Sequence, residues 1–284
     1  MRRLGDSFDV VVQVYGLFQT PVSPYVLYID NTHALTCERW PPWNPFRGRD
    51  LNRWLRAERR LYQQAAHVFT MGTPAANSVI RSYGVMPERV SVVGGGANFD
   101  ELPTVAAHRS SAPTVLFVGR DFRRKGGDIL LDAFRSVRTQ VPDARLVVAG
   151  TDQAPREPGV DVLGRVRDRD AVARLYAHAT VFCLPSRFEP YGLVLLEAMA
   201  HGLPCVATRG DAFPEIVEDG RTGLLVPHGE ASALAGALVA LLEDHERARA
   251  LGAAGRRRVE ETLNWDAVVG RMAPALEQVS ESKA

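Results

Sequence analysis

Short β-branched runs alternate with segments of helical period along nearly the whole chain, and this rhythm narrows the fold more than any other feature. It is the mark of βα units laid on a parallel sheet. In the first part, strands are predicted at 9–14, 25–29, 67–71 and 90–93, with a helix at 50–66. Leu51, Trp54, Leu55, Leu61, Tyr62 and Ala65 give that helix an apolar face, while Arg49, Arg53, Arg56 and Arg60 recur on another. The arginine stripe fits a solvated face better than a contact with an anionic acceptor or a membrane. A polar stretch at 100–113 has the composition of a linker. Beyond it, strands are predicted at 114–118, 145–149, 160–163, 180–184, 204–207 and 223–226. Helices are predicted at 128–137, 168–177, 193–200, 232–242, 245–262 and 265–279. This second part makes a complete doubly wound domain, whereas the first has too few βα units for a similar sheet.

A length of 284 residues suits two domains. The expected division is 1–107, 108–264 and a terminal helix at 265–284. Lys+Arg total 34 against 33 Asp+Glu, a net charge of +1, so no global field recruits nucleic acid. Cys37, Cys183 and Cys205 are scattered and lack CxxC spacing, which argues against a disulfide framework or a zinc site and fits a reducing cytoplasm. Met1-Arg2-Arg3 could open a leader, but Asp6 and Asp9 interrupt the apolar stretch one would need, so the chain reads as mature from Met1. No apolar run approaches the roughly 20 residues of a membrane span, so the expectation is a soluble or at most peripheral protein.

In open α/β sheets, ligands bind beyond the carboxyl ends of the strands. The loop after strand 114–118 runs Gly119-Arg120-Asp121-Phe122-Arg123-Arg124-Lys125-Gly126-Gly127. Its glycines permit tight turns, and Arg120 and Lys125 supply a fork and a point charge suited to two phosphates; taken alone, a basic surface loop fits equally well. The loop after strand 180–184 carries Glu189-Pro190-Tyr191-Gly192 into the helix opening at Leu193 and Val194, whose free N–H groups suit an anion. Glu197 lies on a helix apolar on nearly every side, where a lone carboxylate is costly without donors; sugar hydroxyls would supply them. Glu189, on the loop, could accept hydrogen bonds from a hexose, or be a solvated loop acid. Gly164-Arg165-Val166, after strand 160–163, could frame a flat base through backbone groups.

The run from Arg187 through Glu189, Glu197 and Ala200-His201-Gly202-Leu203-Pro204 to Thr208 closely resembles the EX7E segment of retaining glycosyltransferases of family 4. Val118-Gly119-Arg120 with Lys125-Gly126, Pro214-Glu215-Ile216-Val217 and Gly220-Arg221-Thr222-Gly223 match the same family in the right order. The resemblance implies an α/β fold of the GT-B type, with two Rossmann-like domains across a cleft and the donor held mainly by the second. It implies that Arg120, Lys125 and the amides near Gly192, Leu193 and Val194 bind the donor diphosphate. Glu197 would hold the ribose, Glu189 the transferred sugar, and Arg165 and Val166 the base. The reaction implied is transfer of a sugar from a nucleotide-diphosphate sugar, such as a UDP- or GDP-sugar, with retention at the anomeric carbon. No metal ion or other cofactor is expected, because Arg120 and Lys125 stand in for the divalent ion. The helix containing Trp265 would cross back to the first domain.

The amino-terminal part matches more loosely, through Ala57-Glu58, Ala65 to Phe69, Gly84-Val85 and Val90 to Asn98. Gly94 to Gly96 is not a dinucleotide fingerprint, since no helix at GxGxxG spacing follows. Family members often place an active-site histidine after the strand equivalent to 25–29, which makes His33 a candidate for positioning donor sugar or acceptor, or else a structural histidine. Against the family pattern the first Rossmann-like domain looks incomplete, and a homodimer or partner chain could cover it. The acceptor, whether glycan, lipid or small molecule, is not specified by these residues. A catalytically silent nucleotide-sugar-binding subunit that needs a partner chain, and a GT-B nucleotide-sugar hydrolase or epimerase, are the alternatives. Intact Glu189, Glu197, Arg120 and Lys125 favour catalysis; the short first domain favours the subunit.

Overall fold

The computed structural model describes residues 8–16, 23–105 and 112–282. Met1 to Arg3 and Asp6, on which the leader reading rests, and 106–111 of the predicted linker lie outside them. The chain divides into two compact units, one made of the residues up to Gly95 with those from Trp265 on, the other running from Gly96 to Asn264. Among the described residues no helix is long and apolar enough to cross a membrane.

In the first unit, β1 (Val11–Val14), β2 (Tyr25–Ile29), α1 (His33–Arg39), α2 (Gly48–Gln64), β3 (His67–Thr70), α3 (Thr73–Tyr83) and β4 (Val90–Val92) follow in order. The strands form a four-stranded parallel sheet in the order β1-β2-β3-β4. Tyr25, Leu27 and Ile29 of β2 pack with Leu61, Tyr62, Val68, Val79 and Tyr83 into one core. All four arginines of the α2 stripe are exposed, as the solvated reading expects. The sequence reading lacks α1 and α3. The seven residues of α1 are too few to show a helical period, and its start depends on Thr32, whose hydroxyl accepts from the Leu35 N–H at 3.1 Å. Helix α3 buries small side chains, Ala75, Ala76 and Ser78, which blur its apolar face.

The second unit contains β5 (Thr114–Val118), α4 (Gly127–Gln140), β6 (Arg145–Ala149), β7 (Val160–Gly164), α5 (Arg169–His178), β8 (Val181–Leu184), α6 (Leu193–Ala200), β9 (Cys205–Thr208), α7 (Phe213–Ile216), β10 (Gly223–Val226), α8 (Ala231–Glu243) and α9 (His245–Glu261). Its sheet is parallel with the order β10-β9-β8-β5-β6-β7. Strand order runs outward from β5 to β7, then returns to the other side of β5 with β8. The sheet therefore reverses between β5 and β8, and the crevice at their carboxyl ends is where ligands bind in such folds. The loops after these two strands are the ones the sequence singles out.

The unit begins at Gly96, not at the expected 108, because residues from Ala97 to Pro103 are tied into it. The Ala97 N–H donates to Leu263 O at 2.9 Å, Phe99 meets His201 edge-on at 5.9 Å, and Arg256 donates to Pro103 O. The last helix, α10 (Trp265–Glu281), belongs to the first unit. There Arg271 Nε donates to Val93 O at 2.7 Å and Trp265 meets the edge of Tyr28 at 6.1 Å.

Gly126, which opens α4, sets the spacing between the two loops. Its φ is +73°, and a Cβ there would overlap the carbonyl oxygen of Pro185, the first residue after β8. Gly126→Ala is expected to lower stability by roughly 2–4 kcal/mol, combining left-handed strain with overpacking. Gly236→Ala, on an exposed stretch of α8 with nothing near its Cβ, should instead raise it by about 0.5–1 kcal/mol. Urea unfolding of the two variants beside the parent measures both.

Candidate functional site

The loop after β5 folds back over its own first residue. A side chain at Gly119 would collide with the aliphatic stem of Lys125, so glycine here lets that stem lie flat and carry its ammonium forward. Lys125 is only 9% exposed, and its Nζ lies 2.9 Å from Glu189 Oε2 on the loop after β8. Arg124, 5% exposed, donates to the same oxygen at 3.2 Å and to Phe188 O at 2.6 Å. One carboxylate thus neutralises two nearly buried cations, as charges withheld from water require.

Further ties fix the loops. Arg187 forks onto the Asp128 carboxylate in the first turn of α4 and donates to Arg123 O at 2.7 Å. Burial alone would raise the Asp128 carboxyl, but the Arg187 guanidinium and the amides at the start of α4 hold it below the usual range. The Glu189 N–H donates to Asp211 Oδ2 at 2.9 Å. Asp211 sits at φ +49°, a conformation uncommon for a residue with a side chain, just after β9.

Helix α6 starts at Leu193 behind Gly192, whose φ of +106° brings the chain against Phe213; a Cβ there would lie 2.7 Å from Phe213 Cε1. The first-turn N–H groups of Leu193 and Val194 point out of the helix start, as all such groups do. Glu197, one turn further on, is not a lone carboxylate as the sequence suggested. Its Oε2 accepts from the buried Tyr176 hydroxyl of α5 at 2.8 Å. Burial raises the Glu197 carboxyl above the ordinary range, opposed by the Tyr176 hydrogen bond and the charge of Lys125.

Arg120, beside Gly119, is exposed and makes no ion pair with a described carboxylate. Arg124 was missed by sequence reasoning. In an Arg-Arg-Lys run nothing local tells the inward side chain from the outward one; its partners Phe188 and Glu189 lie in the loop after β8. Arg165 and Val166 follow Gly164 at the end of β7, two strands from β5, or about 10 Å across the sheet. Arg165 is exposed and Val166 half-buried.

His33 belongs to the first unit. It opens α1 just beyond the carboxyl end of β2, and its N–H donates to Glu58 Oε1 at 3.1 Å. Glu58 is buried and also accepts from the Tyr62 hydroxyl at 2.9 Å and from the Tyr83 hydroxyl. Its carboxyl is raised by burial, against the pull of these donors. The His33 ring packs against the stacked pair Phe46 and Trp54, and its Nε2 is 2.9 Å from Asn44 Oδ1.

Comparison with known proteins now bears on this geometry. Residues 112–244 match the family described as glycosyl transferases group 1. The chain is 32% identical over 276 residues to an alpha-maltose-1-phosphate synthase of Mycolicibacterium smegmatis, an overlap of 82% of this chain and 69% of that protein. The chain belongs to the group 1 glycosyltransferases. A phosphatidyl-myo-inositol mannosyltransferase of Mycobacterium leprae is 38% identical over 206 residues, covering 67% of this chain and 54% of its own length. This group 1 chain therefore spans about half to two thirds of the length of these relatives. Among solved structures, Anabaena HepE in complex with UDP-glucose superposes with a TM-score of 0.71 at 21% identity, over 91% of this chain and 72% of that one. The fold is α/β of the GT-B type, with two Rossmann-like units, the first having the smaller sheet.

The raised carboxyl of Glu197 has a consequence for stability. Between the ordinary glutamate value and the raised one, the folded chain holds a proton that the unfolded chain releases, so this group's contribution falls as pH rises through that window. Glu197→Gln keeps an oxygen for Tyr176 and removes the titration. Relative to the parent, the variant should gain stability as pH rises above the ordinary glutamate value, as measured by denaturant unfolding at each pH.

Proposed function

We propose that this protein is a retaining glycosyltransferase that moves a sugar from a nucleotide-diphosphate sugar to a hydroxyl acceptor without a metal ion. The observation that carries the reading is the cluster of Lys125, Arg124 and Glu189 at the point where the sheet reverses, followed by Glu197 on α6. Support comes from the family and from relatives that are a mannosyltransferase and a maltose-1-phosphate synthase by name. The UDP-glucose held by HepE supports a nucleotide sugar as donor.

In this reading Arg120, Lys125 and the N–H groups of Leu193 and Val194 take the diphosphate, with Gly192 giving close backbone approach. Glu197 accepts from the ribose, Glu189 from the transferred sugar, and the base lies against Arg165 and Val166. His33 positions the transferred sugar or the acceptor. The bond from the anomeric carbon to the diphosphate oxygen breaks with its electron pair leaving on the phosphate. The acceptor oxygen bonds to the anomeric carbon on the same face, and its proton passes to that phosphate oxygen. Arg120 and Lys125 are fixed positive charges where negative charge grows, which is how such groups lower a barrier. Arg124, held by Phe188 O, stays paired with Glu189 when Lys125 turns to the phosphates. Three free thiols, Cys37, Cys183 and Cys205, suit a cytoplasmic setting.

A nucleotide-sugar-binding subunit without turnover of its own is the second reading, favoured by the four strands of the first unit against the six of the second. Incubation with a panel of UDP- and GDP-sugars, with and without EDTA, separates the two. Transfer or donor hydrolysis unaffected by chelation supports the enzyme, and binding without turnover supports the subunit. Lys125→Ala should lower kcat by about 10²–10³ while Arg123→Ala, an exposed neighbour, leaves it unchanged. Full activity in both Lys125→Ala and Glu189→Ala would sink the site assignment.

A further inference from the structure

The side chain of Asn44 makes contacts that allow only one orientation. The Phe46 N–H can only donate, and it meets one end of the Asn44 amide at 2.9 Å, so that end is the carbonyl oxygen Oδ1. The other end, Nδ2, then donates to Cys37 Sγ at 3.2 Å. Turning the amide over would set its NH2 against a backbone N–H. Oδ1 therefore faces His33 as an acceptor as well, and the atom opposite it, Nε2 at 2.9 Å, must carry the hydrogen. In a neutral imidazole the second nitrogen is then a bare lone pair.

The ring has little freedom to escape this arrangement. Asn44 is 7% exposed and closes the 3-10 turn Pro41–Trp43, its N–H bonded to Pro41 O at 3.0 Å. Phe46 and Trp54 stack on one another at 4.9 Å, and the imidazole packs against both, at 5.5 and 5.8 Å. At the backbone, Glu58 pins the His33 N–H, and Tyr62 and Tyr83 pin Glu58.

We propose that Asn44 is a positioning residue that fixes His33 as its Nε2–H tautomer and so presents Nδ1 as a hydrogen-bond acceptor for a hydroxyl of the sugar or of the acceptor. The proposal rests on the reading that places His33 at the reaction. It adds a direction to that contact: the ligand donates and the histidine accepts. A hydroxyl satisfies Nδ1, whereas an ether or fluorine at the same place leaves two acceptors facing each other.

Long-range proton–nitrogen NMR on protein labelled with ¹⁵N-histidine, recorded where the ring is neutral, reads the tautomer directly, with His33→Gln assigning the signal. His33 should show the pure Nε2–H pattern. The Nδ1–H form, or a mixture, in the parent overturns the proposal whether or not the protein has turnover, and a parent with the expected pattern but no transfer with any sugar of the panel sinks only the functional reading. Asn44→Ala should bring in averaging between tautomers and lower kcat roughly tenfold, with the KM of the turned-over nucleotide sugar within about twofold. Asn44→Asp keeps an acceptor for both Phe46 and His33, and should restore the Nε2–H pattern and most of kcat. An Asn44→Ala protein that loses only thermal stability, with its tautomer and kcat unchanged, would reduce Asn44 to a structural residue and overturn the proposal. If Asn44→Ala does not fold, the parent spectrum and Asn44→Asp decide.

Discussion

The shared carboxylate of Glu189 is the interaction on which the second unit's ligand-binding end depends. Two cations, Lys125 and Arg124, are almost withdrawn from water, and both pair with it, Arg124 sharing itself with Asp121 at 3.5 Å. Because the cations come from the β5 loop and the carboxylate from the β8 loop, the pairing joins the two sides of the point where the sheet reverses. The glycines serve the same junction: Gly119 clears the path of the lysine stem, and Gly126 lets α4 begin within touching distance of Pro185. Burial, charge and backbone shape all converge on holding positive charge just beyond two strand ends.

The first unit solves a different problem. Its buried carboxylate, Glu58, makes no salt bridge among the described residues and is accommodated by hydroxyl and amide donors from Tyr62, Tyr83 and His33, with its ionisation resisted by burial. That network ties α2 and α3 to the start of α1, so the segment that carries His33 is held by polar groups where the sheet core alone would leave it loose. Each unit thus places its candidate chemistry at the carboxyl ends of parallel strands, one through an ion cluster and the other through a carboxylate held by hydroxyl and amide donors.

Much of this was legible in the chain, and unevenly so for physical reasons. β5, β6, β10 and α6 begin and end where continuous apolar runs meet glycine or polar loops, and the EX7E run carries the family by itself. The short α1 and the small-residue face of α3 left no periodic signal. Among the candidate residues, Arg120 and Lys125 stood out in a glycine-bounded loop after an apolar strand, Glu189 on the loop before α6, and Glu197 on an otherwise apolar helix. Arg124 and Tyr176 did not, since an arginine among arginines and a tyrosine in an ordinary helix acquire their meaning only from partners distant in the chain. The second unit takes in residues ahead of and within the linker read at 100–113, because Ala97, Phe99 and Pro103 are anchored by backbone and ring contacts that composition cannot express.

Several of the ties between the β5 and β8 loops end on the main chain: Arg124 on the oxygen of Phe188, Arg187 on the oxygen of Arg123, and the Arg187 N–H on the oxygen of Arg124. A carbonyl is the same group whatever residue bears it. The two loops therefore form a frame in which Arg123 contributes position independently of its exposed side chain, while the fully buried ring of Phe188 adds its own anchor. Such a frame lets selection, or a protein engineer, trade the side chain at 123 for a new ligand preference without disturbing the geometry that holds the charges in place.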